Sequence, residues 1–195
     1  RVVFGSDHAG FALKQHLVAV AAADGFEVTD LGTNSSESVD YPDLGALVGR
    51  AVASGEADRG VLICGSGNGI AIAANKINGV RCAVAHDATS ARLAVEHNDA
   101  NICSFGARFI GEQTAEDAMR AFLTASFAGG RHAARVAKIT ELEEVIVNKH
   151  PEINAVSLGI SPKGIKQYTP AERKLATAKK SLEMFQKMPT YSWRR

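Results

Sequence analysis

The sequence has almost no net charge and no long hydrophobic run. Its 195 residues include 22 Lys and Arg against 21 Asp and Glu, a formal net charge of +1, and neither sign forms a long block. This balance gives no electrostatic reason to expect nucleic acid or an anionic membrane as a partner. No apolar stretch approaches the ~18 residues of a membrane-spanning helix. The sequence also does not open with the basic segment and following apolar segment of a signal peptide. We therefore expect a globular, cytoplasmic protein.

Cysteine and proline are also scarce. Cys64, Cys82 and Cys103 are odd in number and show no C-x-x-C spacing, so neither a disulfide framework nor a zinc cluster is indicated. We expect reduced thiols.

Of the five prolines only Pro42 precedes residue 148, and the other four are spread through 148–195, a stretch without strand and helix alternation. We interpret 148–195 as a C-terminal extension with one helix at about 170–188.

Apolar, β-favouring runs alternate with helix-like segments at intervals of ~25 residues up to residue 147. Parallel strands joined by helices need connections of this kind, and such crossovers are right-handed. The alternation predicts a doubly wound α/β domain over 1–147, with a five-stranded parallel sheet between two layers of helices. The predicted strands are 1–6, 26–32, 61–64, 80–86 and 101–105, and the predicted helices include 11–23, 42–54, 112–124 and 133–147.

The stretch Gly60–Lys76, GVLICGSGNGIAIAANK, carries the strongest functional signal. A short buried strand ends at Cys64, glycines alternate with small polar residues over Gly65–Gly69, and an Ala- and Ile-rich helix follows. Glycines allow backbone N–H groups to turn toward an anion, and a helix N-terminus adds unpaired N–H donors. A thiol at such a place forms a thiolate more readily. Cys64 is therefore a candidate base or nucleophile, and the alternative is a small buried strand residue.

Other polar residues also follow predicted strand ends, where ligands bind in doubly wound sheets. Asp7 and His8 follow the first strand, Asp87 the fourth and Arg108 the fifth. We expect one crevice to hold them together with the Cys64–Gly69 turn. The alternative for Asp7 and His8 is an ordinary turn capped by aspartate.

His97 is a candidate partner of Cys64 in that crevice, since a cysteine and histidine pair suits proton transfer or nucleophilic attack. The alternative is a solvated histidine at a helix end. Arg131 and Arg135 are four residues apart on one helical face and follow Gly129–Gly130, which permits a tight turn. Their guanidinium groups could fork onto a phosphate, and the alternative is a pair of solvated surface arginines.

Six motifs together resemble the ribose-5-phosphate isomerase B family, which also contains the galactose-6-phosphate isomerase subunits. The motifs stand in the family's order, and the resemblance covers residues 1–146. They are GSDHAGF at 5–11, DYPD at 40–43, ICGSGNGI at 63–70, AANK at 73–76, HNDAN at 97–101 and GRHAAR at 130–135.

The resemblance implies a Rossmann-like domain and a homodimer or tetramer with sites between subunits. It implies interconversion of ribose 5-phosphate and ribulose 5-phosphate, a step of the pentose phosphate pathway, through an enediolate and with no metal or other cofactor. By the same resemblance Cys64 removes the substrate proton, and His97 protonates the ring oxygen to open the sugar. The chemistry suggests that Ser66 shuttles the hydroxyl proton. The implied ligand-binding residues are Asp7, His8, Gly65, Ser66, Gly67, Asn68, Gly69, Asn98, Arg108, Arg131 and Arg135.

Cys64 together with Ile70 indicates the cysteine-base branch of the family, because the other branch has a glutamate base where Ile70 stands. Asn68 is typical of that other branch, so a six-carbon sugar phosphate such as galactose or allose 6-phosphate stays open as the substrate. A phosphosugar-binding module without catalysis is a further alternative. A dinucleotide-dependent oxidoreductase is disfavoured by the G-x-G-x-G spacing, and a cysteine hydrolase by the lack of a residue that orients the histidine.

Overall fold

The computed structural model describes the main chain of residues 1–149 and the side chains of residues 1–143. The chain divides into a first unit, Arg1–Glu143, and a second unit from Glu144 onward. The sheet and the candidate site belong to the first unit. The helix predicted at about 170–188 lies outside the described residues. Within the described part, no helix has the length and apolar character needed to cross a membrane.

Five parallel strands form one sheet in the order β2-β1-β3-β5-β4. This confirms the predicted doubly wound arrangement. The strands are β1 (Val2–Ser6), β2 (Val28–Asp30), β3 (Arg59–Cys64), β4 (Cys82–Val84) and β5 (Ile102–Gly106). The helices are α1 (Phe11–Ala23), α2 (Tyr41–Ala53), α3 (Asn68–Ala74), α4 (Ala88–Asn98), α5 (Glu112–Thr124) and α6 (Ala133–Lys149), and a 3₁₀ turn at Gly130–His132 precedes α6.

The side chains of the central strand β3 alternate between two separate clusters of buried residues. Val61 and Ile63 pack with α1, α4 and α5 on one face, and Leu62 and Cys64 pack with α2 and α3 on the other. β3 pairs with β1 on one side and with β5 on the other. A strand that is covered on both faces reads as a continuous apolar run, which is what the sequence shows here. The result is three layers, with Cys64 facing the layer of α2 and α3.

The fourth strand is shorter than the sequence predicts, since β4 covers Cys82–Val84 and not 80–86. β4 lies at the edge of the sheet and pairs with β5. The Asn75 side chain accepts a hydrogen bond from the Cys82 N–H and donates one to the Cys82 carbonyl, both at 2.8 Å. The Arg81 N–H likewise donates to Asn101 Oδ1 at 2.9 Å. Side-chain amides therefore satisfy main-chain groups at the start of this edge strand.

All strands end at one edge of the sheet, here called the carboxyl edge, and begin at the opposite amino edge. Each crossover helix returns the chain from the carboxyl edge to the amino edge. Helix α4 accordingly ends at Asn98, just before β5 begins. The Asn101 carbonyl accepts the Gly60 N–H at 2.9 Å, and the Arg59 guanidinium donates to the Ala100 carbonyl at 2.7 Å. The segment after α4 therefore lies beside the start of β3.

Candidate functional site

The turn after β3 closes around the sulfur of Cys64. Cys64 is 4% exposed, and the Gly67 N–H donates a hydrogen bond to its Sγ at 3.1 Å. Gly67 has a φ of 78°, and a Cβ there would lie 3.0 Å from the carbonyl carbon of Phe105, so both conformation and space require glycine. The Cys64 thiol therefore lies inside the turn, with a main-chain N–H directed at its sulfur.

Two side chains lie directly against glycines of this turn. The Arg108 main-chain N–H donates to the Gly65 carbonyl at 3.1 Å, and a Cβ on Gly65 would lie 3.3 Å from the Arg108 guanidinium carbon. A Cβ on Gly69 would lie 2.7 Å from the Tyr41 ring. Tyr41 is absent from the predicted site residues, although it stands in the DYPD motif. The two glycines therefore leave room for a cation and an aromatic ring against the turn.

Asp7 and His8 reach the carboxyl edge from β1. The Asp7 N–H donates to the Ile63 carbonyl at 3.2 Å, and Asp7 Oδ1 accepts the Gly10 N–H at 2.9 Å. The Asp7 carboxylate thus caps the turn, and the Asp7 main-chain N–H ties the turn to β3. His8 Nδ1 accepts the Val39 N–H at 3.3 Å, so a neutral His8 carries its proton on Nε2. An imidazole N–H of this kind can donate to a phosphate or a hydroxyl group.

Ser66 and Asp87 have local partners at the same edge. Ser66 Oγ accepts the Asn68 N–H at 3.3 Å. Asp87 Oδ1 accepts the Ser90 N–H at 2.8 Å, and the Asp87 N–H donates to Ser90 Oγ at 3.2 Å, which forms the capping box that begins α4. The bond from the Ser90 N–H lowers the pKa of Asp87. Asp87 therefore caps the start of α4.

A second cluster lies around the end of α4. The rings of His97 and His132 are stacked, with centroids 4.2 Å apart and an interplanar angle of 7°. Arg131 Nε donates to His132 Nε2 at 3.4 Å. Desolvation lowers the pKa of His132, and the charges of His97, Arg131 and Arg135 lower it further. His132 is absent from the predicted site residues; its signal in the sequence is its place beside Arg131 in the GRHAAR motif. The predicted ligand residue Asn98 ends the same helix.

The structure places Cys64 and His97 at opposite edges of the sheet, so one chain does not form the crevice that was predicted to hold both. Cys64 ends β3 at the carboxyl edge, whereas His97 lies near the end of α4 at the amino edge. Gly60, near the start of β3, lies beside Asn101, because its N–H donates to the Asn101 carbonyl. The strand extends by roughly 13 Å from Gly60 to Cys64. The reason is topological, because a crossover helix runs antiparallel to the strands that it connects.

The other two cysteines are poorly suited to form thiolates. Burial raises the pKa of Cys82 to about 12 and raises that of Cys103 well above its ordinary value. Among the residues that the structure describes, no three His, Cys, Asp or Glu side chains are grouped so as to hold a metal ion. Cys64 is the cysteine that lies at the glycine turn.

Known proteins are similar to this chain in sequence and in fold. The family model described as Ribose/Galactose Isomerase matches residues 2–139. Ribose-5-phosphate isomerase B of Escherichia coli (strain K12) is 48% identical over 144 residues, which cover 74% of this chain and 97% of that protein.

Solved structures agree with this assignment. Ribose-5-phosphate isomerase B of Clostridium thermocellum is 50% identical, with a TM-score of 0.73 and coverage of 74% of this chain and 98% of that one. The enzyme of the same name from Mycoplasma genitalium, solved with bound ribulose-5-phosphate, is 37% identical, with a TM-score of 0.71 and coverage of 73% and 95%. The chain therefore belongs to the ribose/galactose isomerase family.

Proposed function

We propose that the chain is a cytoplasmic, homodimeric aldose–ketose isomerase that interconverts ribose 5-phosphate and ribulose 5-phosphate, as a step of the pentose phosphate pathway. The observation that carries the proposal is the Cys64 thiol, which accepts the Gly67 N–H at a glycine turn in a member of this family. Support comes from relatives named ribose-5-phosphate isomerase B, one of which holds ribulose-5-phosphate.

The reaction requires a base at C2 and donors for an enediolate. A Cys64 thiolate removes the C2 proton of the open-chain aldose, and the electron pair of that C–H bond enters the enediolate. The proton of the C2 hydroxyl moves to O1 with the help of Ser66. The Cys64 thiol then returns its proton to C1, which leaves the carbonyl at C2. Backbone N–H groups of the turn stabilise the negative oxygen while it exists.

Ring opening and phosphate binding are assigned to the cluster at the amino edge. His97 protonates the ring oxygen of the closed sugar, and Asn98 binds a sugar hydroxyl. Arg131 and Arg135 bind the phosphate through charge-assisted hydrogen bonds, for which a planar guanidinium is well shaped. Arg108 and His8 Nε2 contact the substrate from the carboxyl edge.

A second copy of the chain is required because one chain carries the two halves of the site at opposite edges of its sheet. In a dimer with two-fold symmetry, the carboxyl edge of each copy meets the amino-edge cluster of the other, and two complete sites form. Large apolar side chains are exposed on α2, on α3 and after β5, namely Tyr41 at 42%, Ile72 at 61% and Phe109 at 68%. A partner copy seated on this edge would bury them.

The test is an isomerase assay of the purified protein with ribose 5-phosphate, allose 6-phosphate and galactose 6-phosphate. We expect turnover of ribose 5-phosphate, and the Cys64→Ala variant should lower kcat by roughly 10²–10⁴-fold. Cys82→Ala is the matched control, because it removes a thiol that lies away from the turn. Its kcat should be close to that of the wild type.

Each departure from this result has a defined meaning. Preferred turnover of a hexose phosphate would change the substrate, and binding without turnover would favour the non-catalytic module. Near-normal turnover in Cys64→Ala would remove the thiol from the mechanism.

A further inference from the structure

Ser104 is a buried polar residue to which the reaction described above gives no part. It lies on β5, its exposed fraction is 0%, and its Oγ donates a hydrogen bond to the Gly67 carbonyl at 2.7 Å. In the parallel register Leu62 pairs with Ser104, and Cys64 pairs with Gly106. Because Leu62 and Cys64 share the face of α2 and α3, Ser104 lies beneath the turn on the same face as the thiol.

Gly67 is held at both of its main-chain groups. Its N–H donates to Cys64 Sγ at 3.1 Å, and its carbonyl accepts the Ser104 hydroxyl at 2.7 Å and the Ala71 N–H at 3.3 Å. Its φ of 78° lies in the region that glycine enters without steric cost. The bond from Ser104 is the shorter of the two at this carbonyl, and together with the helical bond from Ala71 it holds the peptide plane between Gly67 and Asn68.

The orientation of that plane decides where the Asn68 N–H points. In a planar trans peptide the carbonyl and the N–H point in opposite directions. Since the Gly67 carbonyl is directed into the core toward Ser104, the Asn68 N–H is directed to the exposed side of the turn. Its acceptor there is Ser66 Oγ, at 3.3 Å. A negatively charged oxygen is a better acceptor than this neutral hydroxyl.

We propose that Ser104 is a positioning residue, which holds the Gly67 carbonyl and thereby directs the Asn68 N–H at the enediolate oxygen of the substrate. This inference rests on the isomerase function proposed above. Ser104 itself does not touch the substrate. A donor fixed in advance toward charge that develops during proton transfer stabilises the transition state more than it stabilises bound substrate. Loss of the Ser104 hydroxyl should therefore lower kcat more than it raises KM.

The Ser104→Ala variant removes the hydroxyl and leaves the Gly67 carbonyl with its long bond to Ala71. We expect kcat for ribose 5-phosphate to fall by roughly 10- to 100-fold, with KM within about twofold of wild type. The planar enediolate analogue 4-phospho-D-erythronohydroxamate should lose affinity by the same factor as kcat/KM. Ribitol 5-phosphate, which has no planar oxyanion, should bind as it does to wild type.

Ser6→Ala is the matched control. Ser6 is also a fully buried strand serine, and its Oγ has no hydrogen-bond partner among the described residues. It should therefore show wild-type kinetics. Ser104→Cys keeps a weak donor of similar size and should recover part of the lost kcat. If Ser104→Ala does not fold, Ser104→Cys takes its place, with a smaller loss expected in kcat and in hydroxamate affinity.

Two results would overturn the role of Ser104 in an active enzyme. One is a kcat for the Ser104 variant that equals that of Ser6→Ala. The other is an equal loss of affinity for the hydroxamate and for ribitol 5-phosphate, which a merely structural role would produce. A wild-type protein that does not isomerise ribose 5-phosphate would instead overturn the proposed function, so the two failures are distinguishable.

Discussion

Cys64 differs from the other two cysteines in what surrounds its sulfur. The Cys64 Sγ accepts the Gly67 N–H, whereas burial raises the pKa of Cys82 to about 12 and that of Cys103 well above its usual range. A thiol carries almost no thiolate when the pH lies far below its pKa, and the thiolate is the nucleophile. Cys82 is more exposed than Cys64, so exposure predicts that Cys82 is alkylated first. The raised pKa of Cys82 predicts instead that Cys64 is alkylated first.

Alkylation by iodoacetamide at pH 8 distinguishes the two orders. We expect one equivalent to be added at Cys64, with loss of isomerase activity, because Cys82 and Cys103 stay protonated at this pH. Intact-mass measurement and peptide mapping would follow the modification. Ribose 5-phosphate should slow it, and Cys64→Ala should remain unmodified over the same time. Earlier modification of Cys82 would show that exposure decides reactivity.

Helix α1 is joined to strand β2 by a buried ion pair that also holds a loop of the candidate site. The Lys14 ammonium contacts both carboxylate oxygens of Asp30, and the Lys14 side chain is fully buried. Asp30 Oδ1 also accepts the Gly32 N–H at 3.0 Å, and the Gly32 carbonyl accepts the Ser6 N–H at 2.7 Å. The pair therefore fixes the loop after β2 against the end of β1, directly before Asp7.

The two halves of this pair should differ in their effect on the free energy of unfolding. Asp30→Asn leaves the buried Lys14 charge without a counter-charge, which costs roughly 3–5 kcal/mol. Lys14→Met leaves a carboxylate that is 23% exposed and keeps the Gly32 N–H, so we expect a loss of about 1–3 kcal/mol.

Urea unfolding of the single variants and of the double variant Lys14→Met/Asp30→Asn would measure these losses. The double variant should be more stable than Asp30→Asn alone, because it buries no unpaired charge. A larger loss in Lys14→Met than in Asp30→Asn would contradict this order.

In our proposal, residues of two chains form each complete site. Cys64, His8 and Arg108 lie at the carboxyl edge, whereas His97 and the arginines after it lie with the cluster at the amino edge. A symmetric dimer uses both edges of each chain, so a substitution in either half disables both sites of a homodimer. A dimer of two different variants behaves differently.

Mixed dimers of Cys64→Ala and His97→Ala test this arrangement. One of the two sites in such a dimer holds both intact residues, so random mixing of equal amounts should restore about one quarter of wild-type activity. The variants would be unfolded together, refolded, checked for dimers by light scattering and assayed. Cys64→Ala mixed with Arg108→Ala is the matched control, because both substitutions lie in one half and no site is whole. Absence of recovery in proven mixed dimers would mean that Cys64 and His97 act from the same chain.

The order and type of the elements follow from the sequence alone because their signals are local. Alternation of apolar runs with helical segments predicts the five-stranded parallel sheet, which the structure confirms. The glycine turn after Cys64 is also predicted, since neighbouring residues form it. The length of β4 is not predictable in this way, because side chains from outside the strand, Asn75 and Asn101, bind the main chain where it begins.

Only the tertiary structure decided which distant residues meet. It separates Cys64 from His97, and it stacks His97 on His132. It also brings Ser104 under Gly67, 37 residues away. Strand order and register determine these contacts, and neither is encoded in the spacing of residues along the chain. The catalytic and binding roles of the predicted residues therefore stay predictions, whereas their positions at the two edges of the sheet follow from the packing of the whole domain.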